Sequence, residues 1–154
     1  MNLYYEEEIK ALNESKIEYL IVGGIAVNLY GLFRMTQDLD VMINISEETL
    51  EQFKSLMKKM GYETRVSIEK QKDVVAITFI NKKEEYKRID VFIKNPIDFE
   101  KAFKRRKMIK LGDTRVSCVS LDDLFKLKEM AGRDRDLIDI GYLRKFKNEG
   151  KLNE

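Results

Sequence analysis

Apolar positions recur along this chain with two different periods. From Tyr4 to Ser15, Tyr5, Ile9 and Leu12 stand at helical spacing among Glu and Lys, which predicts an amphipathic helix with a solvated charged face. The run Glu18 to Val22, EYLIV, is short and apolar and is halted by Gly23 and Gly24; the following IAVNLYG suits a short helix closed by Gly31. Leu39 to Ile43 predicts a second strand. Ser46 then N-caps a helix with Glu47 and Glu48 in its first turn, Leu50, Phe53, Met57 and Met60 on its apolar face and Gly61 at its end.

Three strand-like runs come next, YETRVSI, VVAITFI and RIDVFI, separated by the polar EKQKD and NKKEEYK and followed by Asn95-Pro96 as a breaker. They read as antiparallel neighbours in a mixed sheet. Gly112-Asp113 between short apolar runs predicts a hairpin, and Ser120 with Asp123 forms a capping-box pattern for a helix through Ala131. A last helix, about Asp134 to Lys147, carries Leu137, Ile140 and Leu143; only the tail NEGKLNE reads as frayed. The expectation is one domain over residues 1–154, α/β or α+β in class, with a core at about 17–118 and two C-terminal helices at about 120–148.

Composition narrows the chemistry. Charged residues make up 36% of the chain, yet 29 basic and 27 acidic side chains nearly cancel, so net charge points to no partner. Lys and Glu enrichment with one Pro and no Trp resembles the ion-pair-rich surfaces of thermophile proteins, a composition that an AT-rich genome also produces. A lone Cys118, no signal-like start and no long apolar run predict a cytoplasmic protein that stays off membranes. The absence of His excludes Ser-His-Asp hydrolysis, His-ligated zinc and imidazole base catalysis. Carboxylates, Lys, Arg, Tyr or a metal must carry any reaction.

Two acids stand out inside the second strand. Alternation puts Asp38 and Asp40 on one face, with Cα atoms about 6–7 Å apart, and Leu39, Val41 and Ile43 on the other. Like charges this close raise each other's pKa unless a cation lies between them; Mg²⁺, or two metals, with phosphate oxygens and water would serve. Asp90 in RIDVFI is a third acid on the polar side of a strong strand. Gly23-Gly24 ends the first strand where backbone N–H groups can receive an anion. An Asp pair alone or a glycine pair alone is weak; together they describe one geometry, with glycines holding phosphates and acids holding the bridging metals.

These residues resemble the DNA-polymerase-β-like nucleotidyltransferase superfamily, whose signature is an apolar residue, Gly-Gly or Gly-Ser, a variable spacer and Asp-apolar-Asp. Val22-Gly23-Gly24 and Asp38-Leu39-Asp40-Val41 match it. Arg34, Thr36, Asp38 and Asp40 as R-x-T-x-D-L-D are similar to a branch of small bacterial and archaeal nucleotidyltransferases near the antibiotic nucleotidyltransferases and AbiEii-type toxins. LFKLKEMAGRDRDLIDIGYL, with Lys128, Arg133, Arg135, Asp136 and Asp139, is similar to that branch's closing motif.

The resemblance implies a mixed, mostly antiparallel sheet of about five strands flanked by helices. It also implies Mg²⁺-dependent transfer of a nucleoside monophosphate from NTP to an unidentified hydroxyl acceptor (RNA, protein or small molecule), with two ions in the site. By carry-over Asp38, Asp40 and Asp90 bind metal, Asp90 doubles as the base, Asp136 is the alternative third acid, and Gly23, Gly24, Arg34, Thr36 and Lys128 face the nucleotide. Arg34 and Thr36 also suit a solvated strand entrance, and the charges of the closing motif also suit plain ion pairs. The basic run from Lys101 reads as a solvated helix face or a nucleic-acid contact. A catalytically silent nucleotide-binding or toxin-antitoxin partner module is the alternative function, and the two C-terminal helices are a candidate homodimer interface.

Overall fold

The computed structural model describes residues 5–65 and 76–154. Its elements, in chain order, are α1 (Glu6–Glu14), β1 (Tyr19–Val22), α2 (Gly23–Leu29), β2 (Leu39–Ile43), α3 (Glu47–Lys59), β3 (Tyr62–Arg65), β4 (Ala76–Asn81), β5 (Arg88–Phe92), α4 (Phe99–Lys104), β6 (Lys107–Leu111), β7 (Thr114–Cys118), α5 (Leu121–Ala131) and α6 (Asp134–Asn148). The ends of the predicted runs YETRVSI and VVAITFI, and the EKQKD between them, lie outside the described residues.

The strands form a single sheet in the order β3-β4-β5-β2-β1-β7-β6. Seven strands therefore replace the expected five, because the Gly112 hairpin joins the sheet: β7 runs parallel to β1 at Ile21 and Cys118, and the Val119 N–H donates to the Ile21 carbonyl at 3.1 Å. The pairing is mixed and mostly antiparallel, as expected, with β2 against β5 the other parallel pair. β1 and β2 lie at the centre, and Leu20, Ile21, Leu39, Val41, Met42 and Ile43 are fully buried there.

Local signals set the helix ends. The Ser46 hydroxyl accepts from the Thr49 N–H at 3.1 Å, and Ser120 does the same for Asp123, each satisfying a first-turn donor. Gly132 closes α5 in the left-handed conformation that glycine adopts without strain. α3 packs its Phe53 against Phe79 of β4, with ring centroids 5.5 Å apart. The short α4, capped by Asp98, follows the Pro96 breaker and interrupts what read as one basic run.

Two expectations about polar segments are corrected. The charged face of α1 is not wholly solvated: Glu8 is buried, accepting from the Tyr62 hydroxyl at 3.2 Å and from Lys87 Nζ at 3.1 Å. The tail is tied down rather than frayed, because the Asn153 N–H donates to the Tyr30 carbonyl at 2.7 Å while Leu152 packs on the core. On α6 the buried stripe is Asp136, Asp139, Ile140 and Leu143, which leaves Leu137, Ile138 and Tyr142 exposed. Among the described residues no helix is long and apolar enough to cross a membrane.

Candidate active site

Strand register assembles the site. Thr78 of β4, Asp90 of β5, Asp40 of β2 and Val22 of β1 are successive partners across four strands, so they form one row, and Gly23 follows at the end of β1. Residues in register point to the same side of a sheet, and alternation adds Asp38 and Arg88 to it, while Leu39, Val41, Ile89 and Val91 fill the opposite, buried side. The acids of two segments far apart in sequence thus share one face.

That face is short of positive charge at its centre. Asp90 accepts from Thr78 Oγ1 at 2.7 Å and from Arg88 Nε at 3.3 Å, and the same Nε stands 3.8 Å from Asp38 Oδ2. Arg88 therefore straddles the outer two acids. Asp40 sits between them: burial, then the Asp90 and Asp38 carboxylates, push its pKa up to about 7, and Lys128 and Arg133 pull it back only in part.

The glycines are required by contact. Gly23 has φ +68°, and a Cβ there would come within 2.1 Å of Asp40 Oδ2; one at Gly24 would come within 2.4 Å of Thr36 Oγ1 and 3.0 Å of Arg34 Nη2. The glycine backbone thus lies directly against the acids and the residues that precede them. Val22, the residue that begins α2, offers no side-chain hydrogen bond to its first turn.

Oxygen donors, a backbone cradle that any Cβ would fill and a like-charge cluster fit a hard divalent cation better than any soft metal. Among the described residues no three acids are grouped closely enough to hold an ion by themselves. Mg²⁺ takes one or two carboxylates and completes its shell with water and substrate phosphate.

Opposite the acids stands a basic wall. Lys128 Nζ lies 2.8 Å from Asp139 Oδ2 and 3.3 Å from Asp136 Oδ1, and Arg34 grips Asp139 through Nη2 at 2.9 Å with Nε at 2.8 Å from the other oxygen. Arg133 closes on Asp136 at 2.7 Å. Burial alone would raise Asp136, but Arg133 and Lys128 outweigh it and hold the carboxyl below its ordinary value. Three cations on two carboxylates leave the wall net positive.

Acids and wall border one cavity of about 1150 Å³, lined by Gly23, Gly24, Arg34, Thr36, Asp38, Asp40 and Lys128 together with Tyr5, Arg133 and Arg135. Asp90 is in register with Asp40 beside this opening without lining it, and Asp136 is turned to Lys128 and Arg133. Sequence reasoning missed two supports. Thr78 orients Asp90, and its trace is a lone hydroxyl in the apolar run AITFI. The Tyr5 hydroxyl donates to the Gln37 carbonyl and accepts from the Arg88 N–H at 3.1 Å, bridging β2 and β5 where their ladder stops; in the sequence Tyr5 reads only as part of an apolar stripe.

The described geometry has relatives of known structure. The chain resembles a candidate nucleotidyltransferase from Thermotoga maritima (15% identity over 94% of this chain and 90% of that one, TM-score 0.64). It is similar also to the lincomycin-bound lincosamide antibiotic adenylyltransferase LnuA (17%, 90% and 93%, 0.64) and to ANT(2")-Ia in complex with adenylyl-2"-tobramycin (13%, 91% and 94%, 0.58). At these identities the likeness is one of fold. No curated protein sequence matches the chain. The sequence pattern of the aminoglycoside-2''-adenylyltransferases, however, matches residues 7–143, from α1 through the buried stripe of α6, and includes the glycines, acids and basic residues that line the cavity. The chain therefore belongs to the aminoglycoside-2''-adenylyltransferase family, within the polymerase-β-like nucleotidyltransferases.

Proposed function

We propose that this nucleotidyltransferase moves a nucleoside monophosphate from NTP to a hydroxyl acceptor in a Mg²⁺-dependent reaction. The acceptor oxygen forms a bond to the α-phosphorus as the bond to pyrophosphate breaks, and the hydroxyl proton passes to a carboxylate. Asp38 and Asp40 would hold the metal, which supplies charge stabilisation to the attacking and leaving oxygens when bound. Asp90, oriented by Thr78, completes the acid set and takes the acceptor proton. The Gly23-Gly24 backbone receives the terminal phosphates, and Lys128, Arg34 and Thr36 face them from the wall. Asp90 is preferred to Asp136 as third acid because both Asp136 oxygens are already engaged by Lys128 and Arg133.

The observation that carries this reading is the row of Asp90, Asp40 and Val22 with Gly23 pressed on the Asp40 carboxylate. The test is Mg²⁺-dependent release of labelled pyrophosphate from γ-³²P NTP in the presence of an acceptor panel, with Asp38→Asn as control. Turnover that survives Asp38→Asn, or that ignores Mg²⁺, would refute it.

One observation favours a second reading, a silent nucleotide-binding module: Arg88 already lies against Asp90 and Asp38. Calorimetry separates the two. NTP binding with Mg²⁺ but no turnover with any acceptor supports the module. The exposed Leu137, Ile138 and Tyr142 support a homodimer through α6, which sedimentation of a monomer would reject.

A further inference from the structure

The acids of the site already have a cation among them. β2 and β5 run in parallel, with Leu39 against Ile89 and Asp40 against Asp90, so Arg88 falls beside Asp38 on the same face. With all three acids ionised, three carboxylates and one guanidinium leave a surplus of two negative charges, which one divalent ion would cancel. An ion held by Asp38 would share that carboxylate with Arg88, and two cations so close repel.

The grip of Arg88 on these acids is looser than any in the basic wall. Its Nε stands 3.3 Å from Asp90 Oδ1 and 3.8 Å from Asp38 Oδ2, beyond the about 2.7–2.9 Å of a tight charge-assisted bond. Arg34 meets Asp139 at 2.8 Å and Arg133 meets Asp136 at 2.7 Å. The Arg88 side chain is also 33% exposed, while its backbone is fixed separately: the N–H donates to the Tyr5 hydroxyl at 3.1 Å, and Arg88 pairs with Ile80 of β4. The guanidinium can therefore leave Asp38 by rotation of its long stem, with β5 and Asp90 staying in register.

We propose that Arg88 is the resident counter-ion of the metal-free site, holding Asp38 and Asp90 together until a divalent ion arrives with the nucleotide and then giving up Asp38 to that ion. The inference rests on the nucleotidyl-transfer reading and deepens it. A bare ion must displace the guanidinium unaided, whereas an ion that comes with a triphosphate brings its own negative oxygens. Arg88 thereby makes occupation of the metal site depend on nucleotide. It also explains how an Arg lies against two acids of a working site, since its place there is temporary.

The full chain is compared with Arg88→Gln, which removes the charge. Mn²⁺ alone, followed by electron paramagnetic resonance, should bind the variant about tenfold or more tightly than it binds the wild type. The variant should melt at a lower temperature than the wild type in EDTA, and saturating Mn²⁺ should close that gap. Equal Mn²⁺ affinities, or a melting deficit as large in Mn²⁺ as in EDTA, would make Arg88 a fixed brace and overturn the inference. Should Arg88→Gln not fold, the wild type answers through the ¹⁵Nε–¹H resonance of Arg88. That signal should shift and exchange faster with water when Mg²⁺ and α,β-methylene ATP are added, and an unmoved signal at saturation would overturn the inference. Absence of Mn²⁺ binding by the wild type even with α,β-methylene ATP would instead bring down the nucleotidyl-transfer reading, and the inference with it.

Discussion

Two aspartates of this protein, Asp40 and Asp136, border the same site and are pushed in opposite directions. Asp40 lies between two other acids on a sheet face, and burial with those neighbours raises its carboxyl to about 7. Asp136 is buried as well, yet Arg133 and Lys128 hold it below its ordinary value. The difference separates two roles. A carboxylate that already has its cations is part of the scaffold, because its charge is compensated without a ligand. A carboxylate crowded by like charges is compensated only when something positive arrives, and is a place where binding energy is waiting.

The sharpest way to break the scaffold side is Asp139→Ala. It leaves Lys128 buried with one partner fewer and strips Arg34 of its anchor, so unfolding free energy in urea should drop by about 3–5 kcal/mol. A drop below about 1 kcal/mol, as for a surface pair, would contradict the assignment.

pH separates the two acids next. The Asp40 carboxyl is raised, so its share of stability is complete below the ordinary value of about 3.9 and is lost as pH rises through about 7. The Asp136 share has the opposite sign: it is present above about 3.9 and lost as pH falls below it. In EDTA, stability of the wild type should therefore decline between about pH 4 and pH 7 by at most about 2–4 kcal/mol, an upper bound because water reaches the carboxylate. Asp40→Asn should flatten that decline and leave the acid-side loss in place.

Gly23→Ala tests the cradle. The left-handed φ costs an alanine about 1–2 kcal/mol, and its Cβ must displace the Asp40 carboxylate. Nucleotide binding should fall more than stability does, and equal losses in calorimetry and urea melts would mean that the glycine serves the fold alone. The smallest effect is expected for Tyr5→Phe, which removes the hydroxyl bridge between Gln37 and Arg88 at a cost of about 1 kcal/mol. Turnover should decline with it, since the starts of β2 and β5 lose their common tie.

Much of this was legible where the cause is local. Ser46 and Ser120 announce helix starts, Gly61 and Gly112 announce turns, and alternation in Leu39 to Ile43 and in Arg88 to Phe92 says which side each acid takes. Register is not local. That Asp40 and Asp90 are neighbours depends on β2 pairing in parallel with β5, and nothing in either segment states it. For the same reason Glu8 read as solvated: Tyr62 and Lys87, which meet it in the interior, belong to the far side of the sheet order. The closing motif allowed both phosphate contacts and plain ion pairs, and the structure shows Lys128 in ion pairs at the edge of the cavity. α4 was legible only in part: the basic run from Lys101 read as a helix face, while the start at Phe99 under the Asp98 cap was not read, because six residues are less than two helical turns.

The central claim, that the acids beside Gly23 hold a divalent ion, is tested most directly by electron paramagnetic resonance of Mn²⁺ with α,β-methylene ATP, comparing the wild type with Asp40→Asn. The account predicts tight Mn²⁺ binding that depends on the nucleotide and is lost in the variant while the fold survives. Equal Mn²⁺ binding by both proteins would contradict it.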